Sequence, residues 1–274
     1  RASIGRTLER SGFAAAGIDM QRFNSMIADL HQQLSEEFSE EMKGVSAEQV
    51  TQLALGFLWQ QRQAGAVLHP AFESYRRDGA TFMMMQREYT SRYMPSIGPK
   101  TRKPAYASFE KIKGFHCLIG AKSNPSWYQH WLTRTLDQGS NLFVSHVAEG
   151  IYRRMLAALQ RVNILQKFDA KGRDAWGIVP SAIVVSRDVA QLNCSCCREV
   201  VRVPSEQAWQ WENAPCMSLR CEGRYQQVEN QQTWQWNNLD VARVVGAEHT
   251  GLLTRDAREA TEQSFYKGNQ PWHI

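Results

Sequence analysis

Five of the six cysteines lie between Leu192 and Gly223, and they restrict the possible folds more than any other feature of this sequence. Cys194 and Cys197 form a C-x-x-C knuckle, and Cys216 and Cys221 follow as C-x4-C. Two short cysteine loops can present four thiolates to one tetrahedral metal ion at about 2.3 Å each. We therefore predict a structural Zn2+ site, because a closed shell of four protein ligands leaves no position for water.

Two disulfides or free thiols are the alternatives for these cysteines. Disulfides persist in oxidising compartments, and the opening residues RASIGRTLER are polar and basic, unlike a secretion signal. The sequence contains no run of 18 apolar residues, so we predict no membrane span and no membrane partner. We expect a cytoplasmic protein with reduced cysteines. Cys196 is an extra thiol that can replace Cys194, and Cys117 is predicted to be a lone buried thiol.

The apolar pattern predicts an α+β fold in four parts: a helical segment at 1–66, a basic linker with a winged-helix-like module at 67–190, the zinc module at 191–232, and a strand-helix unit at 233–274. A first helix runs from a cap at Asp19 to Met42, with Gly44 after it. A second helix begins at the capping box Ser46-x-x-Gln49 and continues to about Ala64.

Residues 126–179 are ordered as helix, turn, helix and hairpin, which is typical of a winged helix. Ser126 and Ser145 are predicted to begin the two helices, and the turn sequence DAKGRD joins two short apolar runs. In winged helices the second helix enters the DNA major groove. The predicted DNA contacts are Arg153 and Arg154 on that helix and Lys171 and Arg173 at the hairpin tip. Docking of a protein is the alternative role.

A basic stretch at 87–113 carries seven Lys or Arg against two Glu, an excess equal to the chain's net charge of +5. Aromatic residues are interleaved with these cations (Tyr89, Tyr93, Tyr106 and Phe109). This composition suits phosphate contact together with base stacking. We predict Lys100, Arg102 and Lys103 as DNA contacts, with a solvated surface loop as the alternative.

The segment from Val241 to Gly268 is predicted to be a buried strand, a polar turn and a helix. It resembles the second RecA-like domain of superfamily 2 helicases, in which a strand leads to a His-x-Gly-Leu turn and a helix of pattern R-x-x-x-E-x-x-F-x-x-G. The matching residues are His249, Gly251, Leu252, Arg258, Glu262, Phe265 and Gly268. The preceding four-cysteine insert and the IGRTLE sequence at 4–9 are similar to large DEAD/DEAH-box helicases with a characteristic C-terminal region, a group that includes Druantia-type anti-phage helicases.

This resemblance implies that 233–274 is a fragment of a RecA-like domain, with His249, Thr250, Gly251 and Arg258 as helicase-motif residues. It implies DNA, the remainder of the helicase chain and a defence-system protein as partners, with ATP and Mg2+ bound only by the intact parent. The sequence has no G-x-x-x-x-G-K-[ST] loop and no DEAD or DEAH tetrapeptide, so we expect no ATP hydrolysis by this chain alone.

Because the sequence starts without Met and ends at PWHI, we expect a piece of a larger protein. The predicted function is that of an accessory, zinc-stabilised, nucleic-acid-binding segment of an ATP-dependent helicase or translocase. The alternative is a zinc-braced adaptor that binds a protein partner and no nucleic acid.

Overall fold

The computed structural model describes residues 12–78, 103–121, 123–137 and 145–228, together with positions 9, 254–256, 259 and 263. The chain divides into two compact units, Arg1–Glu229 and Asn230–Ile274. In the second unit the described positions 255, 256, 259 and 263 are helical and fall within the predicted final helix. The strand and turn predicted before that helix lie outside the described residues.

The described part of the first unit contains five α-helices and three short 3-10 helices. The α-helices are α1 (Met20–Glu37), α2 (Ala47–Gln63), α3 (Glu73–Asp78), α4 (Trp127–Leu136) and α5 (Ser145–Arg161). The 3-10 helices are Pro70–Phe72, Pro180–Ala182 and Ser205–Gln210. Together with the strands below, they confirm the predicted α+β class.

The helix starts predicted at Asp19, Ser46 and Ser126 are confirmed by side chains that satisfy the free N–H groups of the first turn. The Asp19 carboxylate accepts hydrogen bonds from the N–H groups of Gln21 and Arg22. Ser46 forms the predicted capping box, and Ser126 forms an equivalent capping box at the start of α4. The polar capping residues therefore identified the starts of these three helices correctly from the sequence.

The predicted end of α1 is wrong. The helix stops at Glu37, and the chain continues in turns to Gly44, which has a φ of +78°. Met42 is nevertheless buried, with 4% of its surface exposed. The apolar periodicity thus identified the buried residues but overstated the helix length, because turns that follow a helix along the same core bury side chains equally well.

Nine strands form three sheets within the described residues. They are β1 (Ala15–Ile18), β2 (Ala107–Ser108), β3 (His116–Cys117), β4 (Leu165–Asp169), β5 (Asp174–Ile178), β6 (Ile183–Ser186), β7 (Val189–Cys194), β8 (Val200–Pro204) and β9 (Tyr225–Val228). The sheets have the orders β1-β6, β3-β2-β5-β4 and β8-β7-β9, and every pairing is antiparallel except β2 with β3.

The hairpin predicted around DAKGRD is confirmed as β4 and β5, which pair from Leu165 opposite Ile178 to Asp169 opposite Asp174. Lys171 and Gly172, at the centre of its turn, both have positive φ, at 60° and 77°. This is the requirement of a type I′ turn, whose twist matches that of the strands.

One large hydrophobic core contains residues of α1, α2, α4, α5 and the sheet β8-β7-β9. Gly56 of α2 lies so close to Trp131 of α4 that a Cβ there would be 2.1 Å from the indole ring. The indole Nε1 donates a hydrogen bond to the Leu53 carbonyl at 3.1 Å. The predicted divisions at 66/67 and 190/191 therefore fall within one compact unit with a continuous core.

Candidate metal centre and basic surface

The sheet β8-β7-β9 brings the two cysteine pairs together. Cys194 is the last residue of β7, and Cys197 follows it in the turn that leads to β8. Cys216 and Cys221 belong to a loop before β9, and β9 pairs antiparallel with β7, with Tyr225 opposite Cys194. This pairing places the loop with Cys216 and Cys221, the second cysteine loop, over the turn with Cys194 and Cys197, the first cysteine loop. We call this arrangement the cysteine cluster.

The four predicted ligand atoms lie within 4.8 Å of one another, so the cysteine cluster can hold a metal ion. The Sγ atoms of Cys194 and Cys221 are 3.5 Å apart, and so are those of Cys197 and Cys216. A disulfide requires about 2.05 Å, and all six cysteines are free thiols. The disulfide alternative is therefore excluded in this structure.

Backbone N–H groups point at three of the sulfur atoms. Those of Cys196, Ser218 and Gly223 donate to the Sγ atoms of Cys194, Cys216 and Cys221, each at 3.4 Å. Such bonds stabilise a thiolate, and the one from Gly223 lowers the pKa of Cys221 to about 6.

The cysteine cluster also opposes full ionisation. Burial raises the pKa of the Cys216 thiol to about 12. Four thiolates this close repel one another, so complete ionisation requires a cation between them. The donor set therefore fits a divalent metal with sulfur ligands.

Gly223 leaves room for the cysteine cluster. A Cβ at this position would lie 2.4 Å from the Sγ of Cys194 and 2.9 Å from the backbone nitrogen of Cys196. No rotamer change relieves a contact with a backbone atom. The C-x-G at the end of the second loop is thus a steric requirement of the close packing between the two loops.

Helix α4 holds the second cysteine loop from outside the cysteine cluster. The Nη1 atom of Arg134 donates to the carbonyls of Ser218 and Cys221, at 3.1 and 2.8 Å. The indole Nε1 of Trp127 donates to the Met217 carbonyl at 3.0 Å. These residues were missed in the sequence, because a helix residue that binds carbonyls 84 to 90 positions later has no local pattern.

Tyr225 supports the same loop from β9. Its hydroxyl accepts a hydrogen bond from the Met217 N–H at 3.1 Å and lies 3.9 Å from the Sγ of Cys216. Burial raises the pKa of Tyr225, so the hydroxyl keeps its proton and can donate it to a thiolate. Trp211 is buried and packs edge-on against the Tyr225 ring at 6.3 Å.

Two further residues differ in burial from what their residue type suggests. Trp211 is buried, but Trp209 is 64% exposed. It lies at the end of the 3-10 helix Ser205–Gln210, where its side chain points outward while its neighbour points inward. Cys117 is only half-buried, and its Sγ lies 3.0 Å from the Ile119 carbonyl.

The arginines of α5 are exposed and paired with carboxylates. Arg153 pairs with Glu149 within the helix and lies over the Phe109 ring at 4.3 Å. Arg154 pairs with Glu37 of α1. Farther along, Arg161 pairs with Asp29 at 2.9 Å. This face therefore has three arginines whose charges are balanced by three acidic partners.

The hairpin tip has a different electrostatic character. Lys171 and Arg173 line a cleft together with Arg76 and Lys113, and we call it the basic cleft. Its volume is about 240 Å3. Glu110 is the one carboxylate paired with these cations in the described part of the chain, 3.4 Å from Arg173. Arg76 was missed because it lies outside the basic stretch seen in the sequence.

The predicted stacking role of Tyr106 is wrong. Its ring is completely buried, and its hydroxyl donates to the Val67 carbonyl at 3.0 Å. Lys103 is exposed. The remaining predicted residues of these sets lie outside the described residues (Tyr89, Tyr93, Lys100, Arg102, His249, Thr250, Gly251 and Arg258).

Comparisons with protein-family models, with curated proteins and with solved structures found no match. Among the described residues, none of the helices has the length and apolar character needed to cross a membrane.

Proposed function

We propose that this chain is a zinc-stabilised nucleic-acid-binding segment of an ATP-dependent DNA helicase or translocase. The observation that carries the nucleic-acid part is the module of α4, α5 and the hairpin β4-β5. Its second helix has an exposed row of arginines, and its hairpin tip carries Lys171 and Arg173. The helicase part is supported by the sequence resemblance at 192–274, and ATP and Mg2+ would be bound by the remainder of that protein.

Zinc is the metal that best suits the cysteine cluster. Four sulfur ligands at about 2.3 Å in a tetrahedron are about 3.8 Å apart. Here two of the sulfur–sulfur distances are 3.5 Å, and all of them are within 4.8 Å. Soft thiolates favour Zn2+ over Mg2+ or Ca2+. A zinc ion with four thiolates has a net charge of −2, which Arg134 on α4 partly balances. The metal would hold the two loops together, with no position for a reacting water.

The winged-helix interpretation is supported by strand order as well as by element order. In a winged helix a short strand before the helix pair joins the hairpin as a third strand, and here β2 pairs with β5 to give the order β2-β5-β4. Helix α5 lies between this sheet and α1, with its charged side chains half exposed. The turn predicted between α4 and α5 lies outside the described residues.

The ion pairs on α5 do not prevent phosphate binding. Exposed pairs of this kind contribute about 0–1 kcal/mol each. A charge-assisted bond from a guanidinium to a phosphate oxygen is stronger than a neutral hydrogen bond and can be bidentate. Exchange of Glu149 or Glu37 for phosphate is therefore favourable near a highly charged strand.

A salt titration tests this proposal. Fluorescence anisotropy of labelled duplex and single-stranded DNA at several salt concentrations gives the slope of log affinity against log salt. The double variant Arg153→Ala/Arg154→Ala should shrink the duplex slope by roughly two units, at about 0.9 per phosphate contact. The triple variant Lys100→Ala/Arg102→Ala/Lys103→Ala should shrink the single-strand slope by about two units, at about 0.7 per contact.

The control is Arg187→Ala, which removes an exposed arginine from the turn between β6 and β7. It should leave both slopes unchanged. Equal slopes in all variants would exclude these arginines and lysines as phosphate contacts, and wild-type binding too weak to measure at low salt would exclude DNA as the ligand.

A protein-docking adaptor is the second candidate function, and two observations favour it. The arginines of α5 are already balanced by Glu149, Glu37 and Asp29. Trp209, which lies between the two cysteine pairs in the sequence, is largely exposed, and tryptophan is enriched at protein interfaces. This function predicts that Trp209→Ala weakens capture of a partner protein, while the arginine variants have no effect on DNA binding.

A further inference from the structure

We propose that the basic cleft binds a phosphate monoester at the end of a nucleic-acid strand. This inference rests on the proposed nucleic-acid function and assigns a specific ligand group to one part of its surface. The cleft is formed by α3, by the segment at 112–115 and by the hairpin tip, and four cations line it (Arg76, Lys113, Lys171 and Arg173).

Two of the four cations are held in place before any ligand arrives. Arg76 donates to the His69 carbonyl at 2.8 Å and lies over the Phe168 ring at 5.7 Å. Arg173 donates to the Lys111 carbonyl at 2.6 Å. Fixed guanidinium groups lose little conformational freedom when they bind a phosphate. These side chains therefore favour a compact anion in one position.

The other two cations are exposed and uncompensated. Within the described part of the chain, neither Lys113 nor Lys171 has a carboxylate within 4.0 Å. Lys171 occupies the first of the two left-handed positions of the hairpin turn. The turn conformation therefore fixes the direction of its Cα–Cβ bond. Four cations therefore line the cleft, and Glu110, which pairs with Arg173, is the one acid within 4.0 Å of them in the described part of the chain.

The floor of the basic cleft is apolar. Tyr75 and Phe115 line it, and their rings are 6.2 Å apart. Phe115 also packs against Tyr106 at 5.3 Å and Phe168 at 6.3 Å, as part of a small second core. Apolar walls beneath a set of like charges focus the electric field into the cleft, because field lines avoid the low-dielectric side.

Charge and shape together favour a monoester over a backbone diester. A diester carries one negative charge per nucleotide and extends along an open surface, whereas a monoester carries about −1.5 to −2 at pH 7 and is compact. A concave space of about 240 Å3 lined by four cations, one of them paired with Glu110, matches a monoester better than a diester. A phosphate monoester is present at the end of a 5′- or 3′-phosphorylated strand.

The test uses the zinc-loaded full chain and single strands of one sequence. Each strand has a 5′-phosphate, a 3′-phosphate or only hydroxyl ends, with the dye placed at the opposite end. We expect one phosphorylated strand to bind at least about fivefold more tightly than the hydroxyl strand, since charge-assisted bonds to the extra charge are added. Lys113→Ala should reduce this preference, and Lys113→Glu should abolish it.

Arg187→Glu is the matched control, because it makes the same change in charge outside the basic cleft. It should weaken all strands equally and keep the preference. Equal binding of phosphorylated and hydroxyl strands by the wild type would overturn the inference, and so would a preference that persists in Lys113→Glu. Both results leave the proposed nucleic-acid function intact.

A phosphorylated dinucleotide tests the basic cleft independently of the nucleic-acid function. If long strands fail to bind, the nucleic-acid function is wrong, and calorimetry with this dinucleotide tests the cleft alone. Binding that Lys113→Glu removes and Arg187→Glu retains would support a phosphate monoester site in its own right. Absence of binding to the wild type would overturn the inference.

Discussion

Arg134 joins the cysteine cluster to helix α4. Its Nη1 satisfies two carbonyls of the second cysteine loop, and its Nη2 is buried without a hydrogen-bond partner among the described residues. Burial lowers the pKa of Arg134, while the nearby Cys216 and Cys221 favour its charged form. A half-buried cation with an unbonded, buried Nη2 is costly unless negative charge lies near it. A metal with four thiolates would supply that charge.

Replacement of single cysteines tests the assigned ligands. Cys216→Ser should abolish retention of one zinc per chain and open the loops at 195–224 to proteolysis, because zinc contributes on the order of 10 kcal/mol to small folds that depend on it. Cys196→Ser should keep the zinc, since Cys196 is exposed and outside the set of four converging sulfur atoms. Mass spectrometry measures the zinc content of each variant. Loss of zinc in Cys196→Ser but not in Cys194→Ser would reassign the ligand.

Helix α4 begins at a capping box that is also tied to the preceding chain. Ser126 accepts from the Gln129 N–H at 3.2 Å, and its own N–H donates to the Gln129 side chain at 2.9 Å. The Ser126 hydroxyl in turn donates to the Leu118 carbonyl. This start fixes the first turn of α4, which presents Trp127 to the second cysteine loop.

Ser126→Ala should lower the free energy of unfolding by about 1–2 kcal/mol, because the N-cap bond to the hydroxyl and the hydroxyl's own bond to the Leu118 carbonyl are both lost. Thr133→Ala is the control within the same helix. The Thr133 hydroxyl donates to the Gln129 carbonyl, and alanine favours helix more than threonine does. Its effect should stay within about 0.5 kcal/mol. Urea denaturation measures both, and equal losses would show that the capping box is unimportant.

The first unit has a helical core, and the sheet β8-β7-β9 joins the cysteine cluster to it. Helices α1, α2, α4 and α5 bury residues that need no metal, such as Phe23, Phe57 and Trp131. The sheet β8-β7-β9 shares this core through Leu192 and Val201. The metal is therefore expected to hold the loops rather than to nucleate the whole fold.

Removal of zinc by a chelator should accordingly lower the melting temperature by at least about 5 °C without unfolding the helices. Far-ultraviolet circular dichroism at 25 °C should be nearly unchanged. The near-ultraviolet signal should change, because Trp127 is bonded to the second cysteine loop. Loss of the helical signal on chelation would mean that the metal supports the entire core.

Local patterns predicted the parts of the fold that depend on neighbouring residues. The caps at Asp19, Ser46 and Ser126, the DAKGRD hairpin and the two cysteine pairs were recognised because each depends on residues a few positions apart. The strand β1 was missed, since AAGI has little strand pattern and pairs with residues more than 160 positions later. The segment is a strand because it pairs with β6.

Thiolate chemistry and cysteine spacing alone were sufficient to predict which four cysteines converge in a cluster that can hold a metal ion. Only tertiary structure decided which side chains support or surround it, because Arg134, Trp127 and Tyr225 meet the second loop from distant elements. It likewise paired the α5 arginines with carboxylates and gathered Arg76 and Lys113 with the hairpin tip. The charges of these residues can be read from the sequence. Their electrostatic effect depends on distance and burial, which the packing of remote segments determines.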